Sequence, residues 1–402
     1  MPKAHLILEV TLATTLTLIV TFLIGFIPAK DEFIKPVRQG FLDFDIYDLY
    51  YAGRHSSTPQ RDSNIVLVCI ENDRQCIADQ ISLISRYSPA VIGIDAVFDN
   101  AGSKPDERRK DIALVNAISA GNKVVVASQY VYDEKGDKAS ISGNFFSAIG
   151  SYTSGYINFI GDSFAVIRNY PPFLIVGDSL WAFAAVVARK FSQEKFDQLV
   201  ARKHRLETIN YSGNLERYTC ITSSELKAWD STAQLQGILP NKIVLLGYFV
   251  KDDRPILEDL HFTPLNQRAA GKSYPDMYGV VIHANILSMI LGGNYVNRAP
   301  DYLSYVSAGA IVFLFLYFVL LRHKKSDHPG HGWFHLIQLL LTLGVLYLFL
   351  LVFSCFHIKF TLTPIIISLV LAMEMMSVYK LLAIWLSRRF HFKTVFDHKH
   401  SL

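Results

Sequence analysis

Three carboxylates stand at or just beyond the predicted ends of two buried strands. Glu71 follows the apolar run 65–70, whereas Asp95 and Asp99 lie within and after the run 91–98. Open α/β sheets bind their ligands outside the carboxyl ends of the strands. Carboxylates in that position could bind a cation or an amine, or take part in acid–base chemistry. The competing interpretation is structural, with Asp95 capping a helix or a loop.

Four apolar runs predict the sheet that would position these carboxylates. They are 65–70, 91–98, 123–128 and 243–246. Hydrophobicity that is continuous rather than alternating is typical of parallel strands buried on both faces. The intervening segments carry apolar residues at helical spacing, which are Ile77, Ile81 and Ile84 in the first and Ile112, Val115 and Ile118 in the second. We therefore predict an α/β fold in which a mainly parallel sheet is flanked by helices.

Four stretches with almost no charge predict transmembrane α-helices, because a bilayer core of about 30 Å needs about 20 apolar residues in a helix. They cover 6–27, 302–321, 333–356 and 361–386. The first is too long for the apolar region of a cleaved signal peptide, so we expect a retained anchor. Basic residues follow the second and the fourth stretch, and short basic loops stay in the cytoplasm. Both termini are therefore expected inside and the large domain outside.

The charge pattern divides the chain into four parts. We predict an N-terminal transmembrane anchor over 1–29, an extracytoplasmic α/β domain over 30–300, a three-helix transmembrane bundle over 301–390 and a short cytoplasmic tail over 391–402.

Three polar side chains lie inside the predicted spans, where such groups are costly. Glu9, Gln338 and Glu374 all map to the inner third of the membrane. One interpretation is that each lies near a headgroup layer or is satisfied by a neighbouring helix. The other is that they contact a transmembrane helix of a partner protein.

Composition and motifs exclude several classes of function. The net charge of +4 is small and spread along the chain, which argues against a nucleic-acid partner. The four cysteines have irregular spacing, without a zinc pattern or a disulfide framework, although Cys76 and Cys220 could pair. The chain carries no nucleophile-elbow, metalloprotease, dinucleotide-binding or P-loop motif. We expect no catalytic residues, no metal and no cofactor, and hence a protein that is not an enzyme.

Five sequence blocks occur in the order in which one family carries them. The strongest is 89–98, Pro-Ala-Val-Ile-Gly-Ile-Asp-Ala-Val-Phe, and the others are 64–71, 242–247, 259–264 and 279–285. In these blocks the chain resembles the type-2 CHASE family, an extracellular sensory module of bacterial histidine kinases, nucleotide cyclases and related receptors. Three transmembrane helices after the domain are also usual in that family.

The resemblance adds two residues to the candidate site. Asp259 matches the motif D-x-x-x-T-P, and His283 matches G-x-x-x-H-A-N. Both could fold to the edge that carries Glu71, Asp95 and Asp99, so these five residues form the candidate ligand-binding set. The alternative is that His283 and the asparagine of its motif hydrogen-bond buried backbone groups.

The resemblance implies a sensor in the bacterial inner membrane, with its large domain in the periplasm and its termini in the cytoplasm. Only sixteen residues follow Leu386, too few for an output domain, so the sensor is expected to signal to a separate effector. The alternative is a structural or scaffold subunit of a membrane complex that senses nothing. Both hypotheses involve the lipid bilayer and a protein partner, and both leave homo-oligomerisation open.

Overall fold

The computed structural model shows two compact units, one formed by Leu42–Val296 and the other by Met1–Phe41 with Asn297–Leu402. The residues described are 3–25, 45–54, 60–120, 123–132, 139–147, 152–160, 165–176, 178–251, 259–266, 274–325, 331–390 and 394–396. The predicted cytoplasmic tail, 391–402, therefore lies outside the described residues except for 394–396.

Helices and strands alternate through the first unit, and long helices dominate the second. The helices are α1 (Lys3–Ile24), α2 (Asp48–Arg54), α3 (Arg74–Arg86), α4 (Pro105–Ser119), α5 (Phe183–Phe191), α6 (Gln193–Ala201), α7 (Ser223–Ala228), α8 (Ala233–Ile238), α9 (Gly279–Gly292), α10 (Asp301–Lys325), α11 (His331–Phe356) and α12 (Thr363–Phe390). The strands are β1 (Ile65–Cys69), β2 (Val91–Ile94), β3 (Val124–Tyr132), β4 (Ala139–Ser142), β5 (Thr153–Tyr156), β6 (Asn169–Tyr170), β7 (Phe173–Val176), β8 (Asp178–Trp181), β9 (Glu207–Thr208), β10 (Thr219–Ile221), β11 (Ile243–Gly247), β12 (Leu260–His261), β13 (Met277–Tyr278), β14 (Asn297–Arg298) and β15 (Ile358–Lys359).

The predicted mainly parallel sheet is confirmed. Its parallel strands follow the order β10-β1-β11-β2-β3-β5, and β4 pairs antiparallel with the far half of β3. The late strand β11 is inserted between β1 and β2, with Leu245 opposite both Leu67 and Gly93. Consequently the carboxyl ends of β1 and β2 are two strands apart, about 10 Å at the usual strand spacing.

Helices cover both faces of the sheet, as the continuous apolar runs require. On one face α3, α4, α7 and α8 pack on a core that includes Val68, Ile94 and Leu246. On the other face lie α5 and α9. The helix α9 approaches the end of β11 closely, because a Cβ on Gly247 would lie 2.5 Å from Val280. Glycine at the end of this strand therefore determines how near α9 can pack.

Helix α4 presents a different face to the core from the one that the sequence predicts. The predicted apolar face includes Ile112, whose side chain is 61% exposed, whereas Leu114 and Ile118 pack on the sheet. The rotation brings Asp111 inward, where it pairs with Arg74 and accepts a 2.6 Å hydrogen bond from the backbone N–H of Gly102. These bonds stabilise a buried carboxylate and so outweigh the apolar periodicity of the helix.

The four predicted transmembrane helices are confirmed as helices that are long and apolar enough to cross a membrane. They are Ala4–Ile24, Asp301–Arg322, Gly332–Phe356 and Thr363–Phe390, within α1, α10, α11 and α12. Helices α1, α10 and α12 contact one another, whereas α11 packs on α12.

Candidate functional site

Asp95 occupies the carboxyl end of β2, near the middle of the sheet. Its backbone N–H donates a 2.8 Å hydrogen bond to Leu246 of β11, which continues the strand pairing by one residue. The pairing directs the Asp95 side chain into the protein, where only 7% of it is exposed. The carboxyl group of this predicted ligand-binding residue therefore lies in the interior of the α/β unit.

His283 lies in the second turn of α9 and faces the carboxyl group of Asp95. The distance between His283 Nε2 and Asp95 Oδ1 is 4.0 Å, and 6% of the histidine side chain is exposed. The Phe159 ring stacks on the imidazole with the centroids 4.9 Å apart, and Phe183 meets it edge-on at 5.4 Å. Aromatic packing therefore fixes the orientation of the imidazole beside Asp95.

Asp259 and His261 form the solvent-facing half of the same cluster. The Nε2 atom of His261 is 3.5 Å from Oδ1 of Asp259, and the two side chains are 29% and 45% exposed. The ring of His261 meets the Phe159 ring at 5.1 Å, so Phe159 touches both histidines. We refer to Asp95, Asp259, His261 and His283, with Phe159, as the Asp–His cluster.

The start of α9 holds Asp259 in this position. Strand β12 pairs with β13, which leads directly into α9, and the backbone N–H of Gly279 donates to the carbonyl oxygen of Asp259 at 3.2 Å. A Cβ on Gly279 would lie 3.1 Å from Asp259 Oδ2, closer than side-chain carbons normally come. Glycine at position 279 thus allows the carboxylate to lie against the helix.

Burial suppresses the charge on both interior groups. It raises the pKa of Asp95 to about 8, and the neighbouring carboxylate of Asp259 adds to the shift. It lowers the pKa of His283 to about 3, with a further contribution from His261. Near neutral pH the pair therefore consists of a carboxylic acid and a neutral imidazole rather than an ion pair.

The charge of the Asp–His cluster depends on whether Asp95 is ionised. A positive charge near Asp259 and Phe159 would favour the ionised form of Asp95, because opposite charges within a few ångströms lower the pKa of a carboxyl group. Among the described residues, no group of three or more histidine, cysteine, aspartate or glutamate side chains is arranged to hold a metal ion.

Glu71 and Asp99 lie outside this cluster. The carboxylate of Glu71 pairs with Lys227 at 2.8 Å and accepts a hydrogen bond from the hydroxyl of Ser223, both on α7. Hydrogen bonds from Lys227 and then Ser223 lower the pKa of Glu71 to about 2. The insertion of β11 explains the separation, since it moves β1 away from β2. Asp99 is exposed four residues after Asp95.

Sequence reasoning missed two members of the Asp–His cluster. The signal for His261 is its position inside the matched block 259–264, two residues after Asp259. Alternation along a strand is not the reason, because Asp259 precedes β12 and has a φ of 61°. Phe159 carries no comparable signal, since its contacts depend on how the segment after β5 packs over α9.

The matched motifs also contain residues with structural roles. Asn285 accepts a 2.8 Å hydrogen bond from the backbone N–H of Ser212 and donates to Gly213 and Val281 at 2.9 Å each. These bonds agree with the interpretation that the asparagine satisfies buried backbone. Asp276 similarly anchors Thr263 of D-x-x-x-T-P through bonds of 2.8 and 2.6 Å.

The polar residues in the spans differ in their contacts. Oε1 of Glu9 accepts a 2.8 Å hydrogen bond from the backbone N–H of Val395, and Gln338 donates to the carbonyl oxygen of Val370 at 2.9 Å. Both therefore have partners in this chain. Glu374 is exposed on α12, and none of the described residues hydrogen-bonds or ion-pairs with it.

The described cysteines, Cys69, Cys76, Cys220 and Cys355, are all free thiols in this structure.

Comparison with known proteins identifies one family. The family model described as the CHASE2 domain matches residues 16–322, about three quarters of the chain, and includes every member of the Asp–His cluster. No curated protein and no solved structure matches the chain. The CHASE2 domain is a sensory domain, and the chain belongs to the CHASE2 domain family.

Proposed function

We propose that this protein is a membrane-anchored sensor that binds a small cationic cue at the Asp–His cluster and signals to a separate effector through its transmembrane helices. The family and the four apolar helices support a membrane-bound sensory role. The proposal assigns the protein no catalytic activity and places the α/β unit outside the cytoplasm of a bacterial cell, with both termini inside.

The observation that carries the proposal is the connection between a buried neutral pair and an exposed carboxylate. Asp259 offers a solvent-accessible carboxylate. His261 lies beside it, and the ring of Phe159 is 5.1 Å from the ring of His261. Carboxylates and aromatic faces both attract organic cations. The chemistry that fits is a small amine or quaternary ammonium ion rather than an anion.

Binding of a cation should release a proton. Asp95 is protonated near neutral pH, and it contributes negative charge to the cluster only after ionising. The affinity should therefore rise with pH, by up to about tenfold per unit, and level off above the pKa of about 8.

The position of the cluster suggests how the signal leaves the α/β unit. Ionisation of Asp95 changes the charge beside His283, which belongs to the last helix before the chain enters α10. A ligand shifts a conformational equilibrium only through different affinities for the two states. A carboxyl group that is neutral in one state and charged in the other supplies such a difference.

Thermal unfolding of the full chain in lipid nanodiscs tests the proposal. We expect alkylamines or quaternary ammonium ions to raise the unfolding temperature more at pH 8 than at pH 6. Asp95→Asn and Asp259→Asn should abolish the increase. Asp230→Asn is the matched control, because that carboxylate pairs with Arg86 at the surface.

If none of the alkylamines and quaternary ammonium ions raised the unfolding temperature of the wild type at pH 8, cue binding at the cluster would be refuted. If an effector still co-purified with the protein, the scaffold interpretation would be favoured instead. The orientation is tested separately, in a chain whose four native cysteines are replaced by serine, by labelling a cysteine introduced at the exposed Ile175 with a membrane-impermeant maleimide on intact cells. Labelling only after lysis would place the α/β unit inside.

A further inference from the structure

Glu374 lies on an exposed side of α12, which α11 approaches near Val370, where Gln338 donates to the backbone carbonyl oxygen. The buried side of this helix includes Leu369, Ala372 and Met376. The exposed side carries Val370, Glu374, Val378, Leu381 and Trp385. At about 100° per residue these five positions fall within an arc of about 80°. We call this surface the Glu374 face.

Taken as a membrane span, α12 puts Glu374 closer to the middle of the bilayer than the sequence alone predicts. α12 begins at Thr363, and eleven residues at about 1.5 Å each set Glu374 about 17 Å from that end. The hydrocarbon core is about 30 Å thick. A carboxylate at that depth cannot reach a headgroup layer, so it requires a polar partner within the membrane.

The spans of this chain offer no cation at the same depth. Their basic side chains, apart from the arginines at helix ends, are His5, His335 and Lys380. The two histidines lie within about one turn of the ends of their helices. Lys380 is six residues further along α12, about 9 Å away along the axis.

A second copy in the same orientation therefore brings no cation to Glu374. Two such copies facing each other would instead juxtapose two carboxylates in an apolar medium. This charge pattern argues against a homodimer through the Glu374 face and in favour of a different chain.

We propose that the Glu374 face docks a transmembrane helix of the effector, and that this helix carries a lysine, arginine or histidine near mid-membrane that pairs with Glu374. The inference rests on the proposed function, since it assumes a separate effector, and it specifies the chemistry of the contact. Apolar residues above and below the carboxylate would pack against the same helix and exclude lipid. By contrast, Oε1 of Glu9 and the side-chain amide of Gln338 each hydrogen-bond within this chain.

Photo-crosslinking of the full chain in its native membranes tests the inference. Benzoylphenylalanine is placed at Val378, one turn from Glu374 on the same face. The control position is Leu343 on α11, which is exposed on an apolar surface of that helix. We expect a protein adduct from position 378 whose crosslinked helix has a basic residue within about one turn of the crosslink.

Substitutions at Glu374 then test the charge. E374L should reduce the adduct at least tenfold and E374D should keep it, with the amount of chain in the membrane unchanged. Combining E374K with an acidic residue at the partner's basic position should restore it. Adducts with a second copy of this chain, adducts with a helix that lacks a basic residue, an adduct indifferent to E374L, or lipid adducts only would each overturn the inference.

The crosslink does not depend on the cue. Failure of cation binding with a retained adduct would therefore refute the cue and leave the docking intact. Cation binding with no protein adduct would refute the docking and leave the cue intact.

Discussion

Replacing Asp95 by asparagine should change how the stability of the α/β unit depends on pH. The asparagine side chain resembles the neutral acid in shape but cannot ionise. The folded pKa of Asp95 is about 8, against about 3.9 in an unfolded chain. Between these values the folded state holds the extra proton, so the free energy of unfolding falls as pH rises.

His283 acts in the opposite direction over a lower range. Its folded pKa is about 3, against about 6.5 when unfolded, so the unfolded state holds the extra proton and stability rises with pH in that window. From about pH 4 to 6.5 the two contributions cancel. From 6.5 to 8 only Asp95 titrates, and about 1.5 units at about 1.36 kcal/mol each give a loss of about 2 kcal/mol.

The assay is urea unfolding of the full chain in nanodiscs, with Trp333 and Trp385 of the apolar helices replaced by phenylalanine, so that the fluorescence comes from Trp181 and Trp229 in the α/β unit. The quantity of interest is the difference in unfolding free energy between wild type and Asp95→Asn, because other titrating groups cancel in it. We expect this difference to fall by about 2 kcal/mol between pH 6.5 and 8. A difference constant to within about 0.5 kcal/mol would show that Asp95 is not protonated in the folded protein, and the proposed proton release would fail with it.

Two further substitutions test the supports of the cluster. Gly279→Ala introduces a carbon about 3.1 Å from Asp259 Oδ2, so it should displace the carboxylate and weaken cation binding at least tenfold. Unchanged binding in the thermal assay would show that the carboxylate can move aside without losing the cation. Asn285→Ala removes the hydrogen-bond partner of three backbone groups, so the free energy of unfolding in urea should fall by about 2–3 kcal/mol. A decrease below about 0.5 kcal/mol would contradict the structural role of Asn285.

The strands of the sheet were predictable where burial alone determines the pattern. Residues buried on both faces must be apolar without alternation, and β1, β2, β3 and β11 meet that condition. The order of the strands was not predictable, because pairing across long sequence separations leaves no local trace. Strand β11 enters between β1 and β2 although about 150 residues separate it from β2 along the chain.

The same insertion decided which predicted site residues meet. Glu71 and Asp95 each follow a buried strand, and from sequence they were equivalent. In the structure Glu71 forms an ion pair with Lys227 on α7. The carboxyl group of Asp95 lies beside His283 on α9, which packs on the other face of the sheet. Asp259 and His283 could be named only through the family motifs, since nothing in their own spacing indicates that β13 brings them together.

The free energy available at Asp95 is large enough to drive a two-state response. A cation that restored the carboxyl group from a pKa of about 8 to its usual value near 3.9 would supply about four units, or about 5.5 kcal/mol. That is about the difference in binding free energy that takes a two-state equilibrium from 1:99 to 99:1. At pH 7 removing the proton costs about one of these units, which leaves about 4 kcal/mol, and this smaller free energy takes the equilibrium from 1:99 to about 10:1. A carboxylate at the surface is already ionised and hydrated, so a bound cation changes its free energy little. A buried acid that is neutral without its cue ionises only when the cation binds, and the large change in electrostatic free energy therefore accompanies binding.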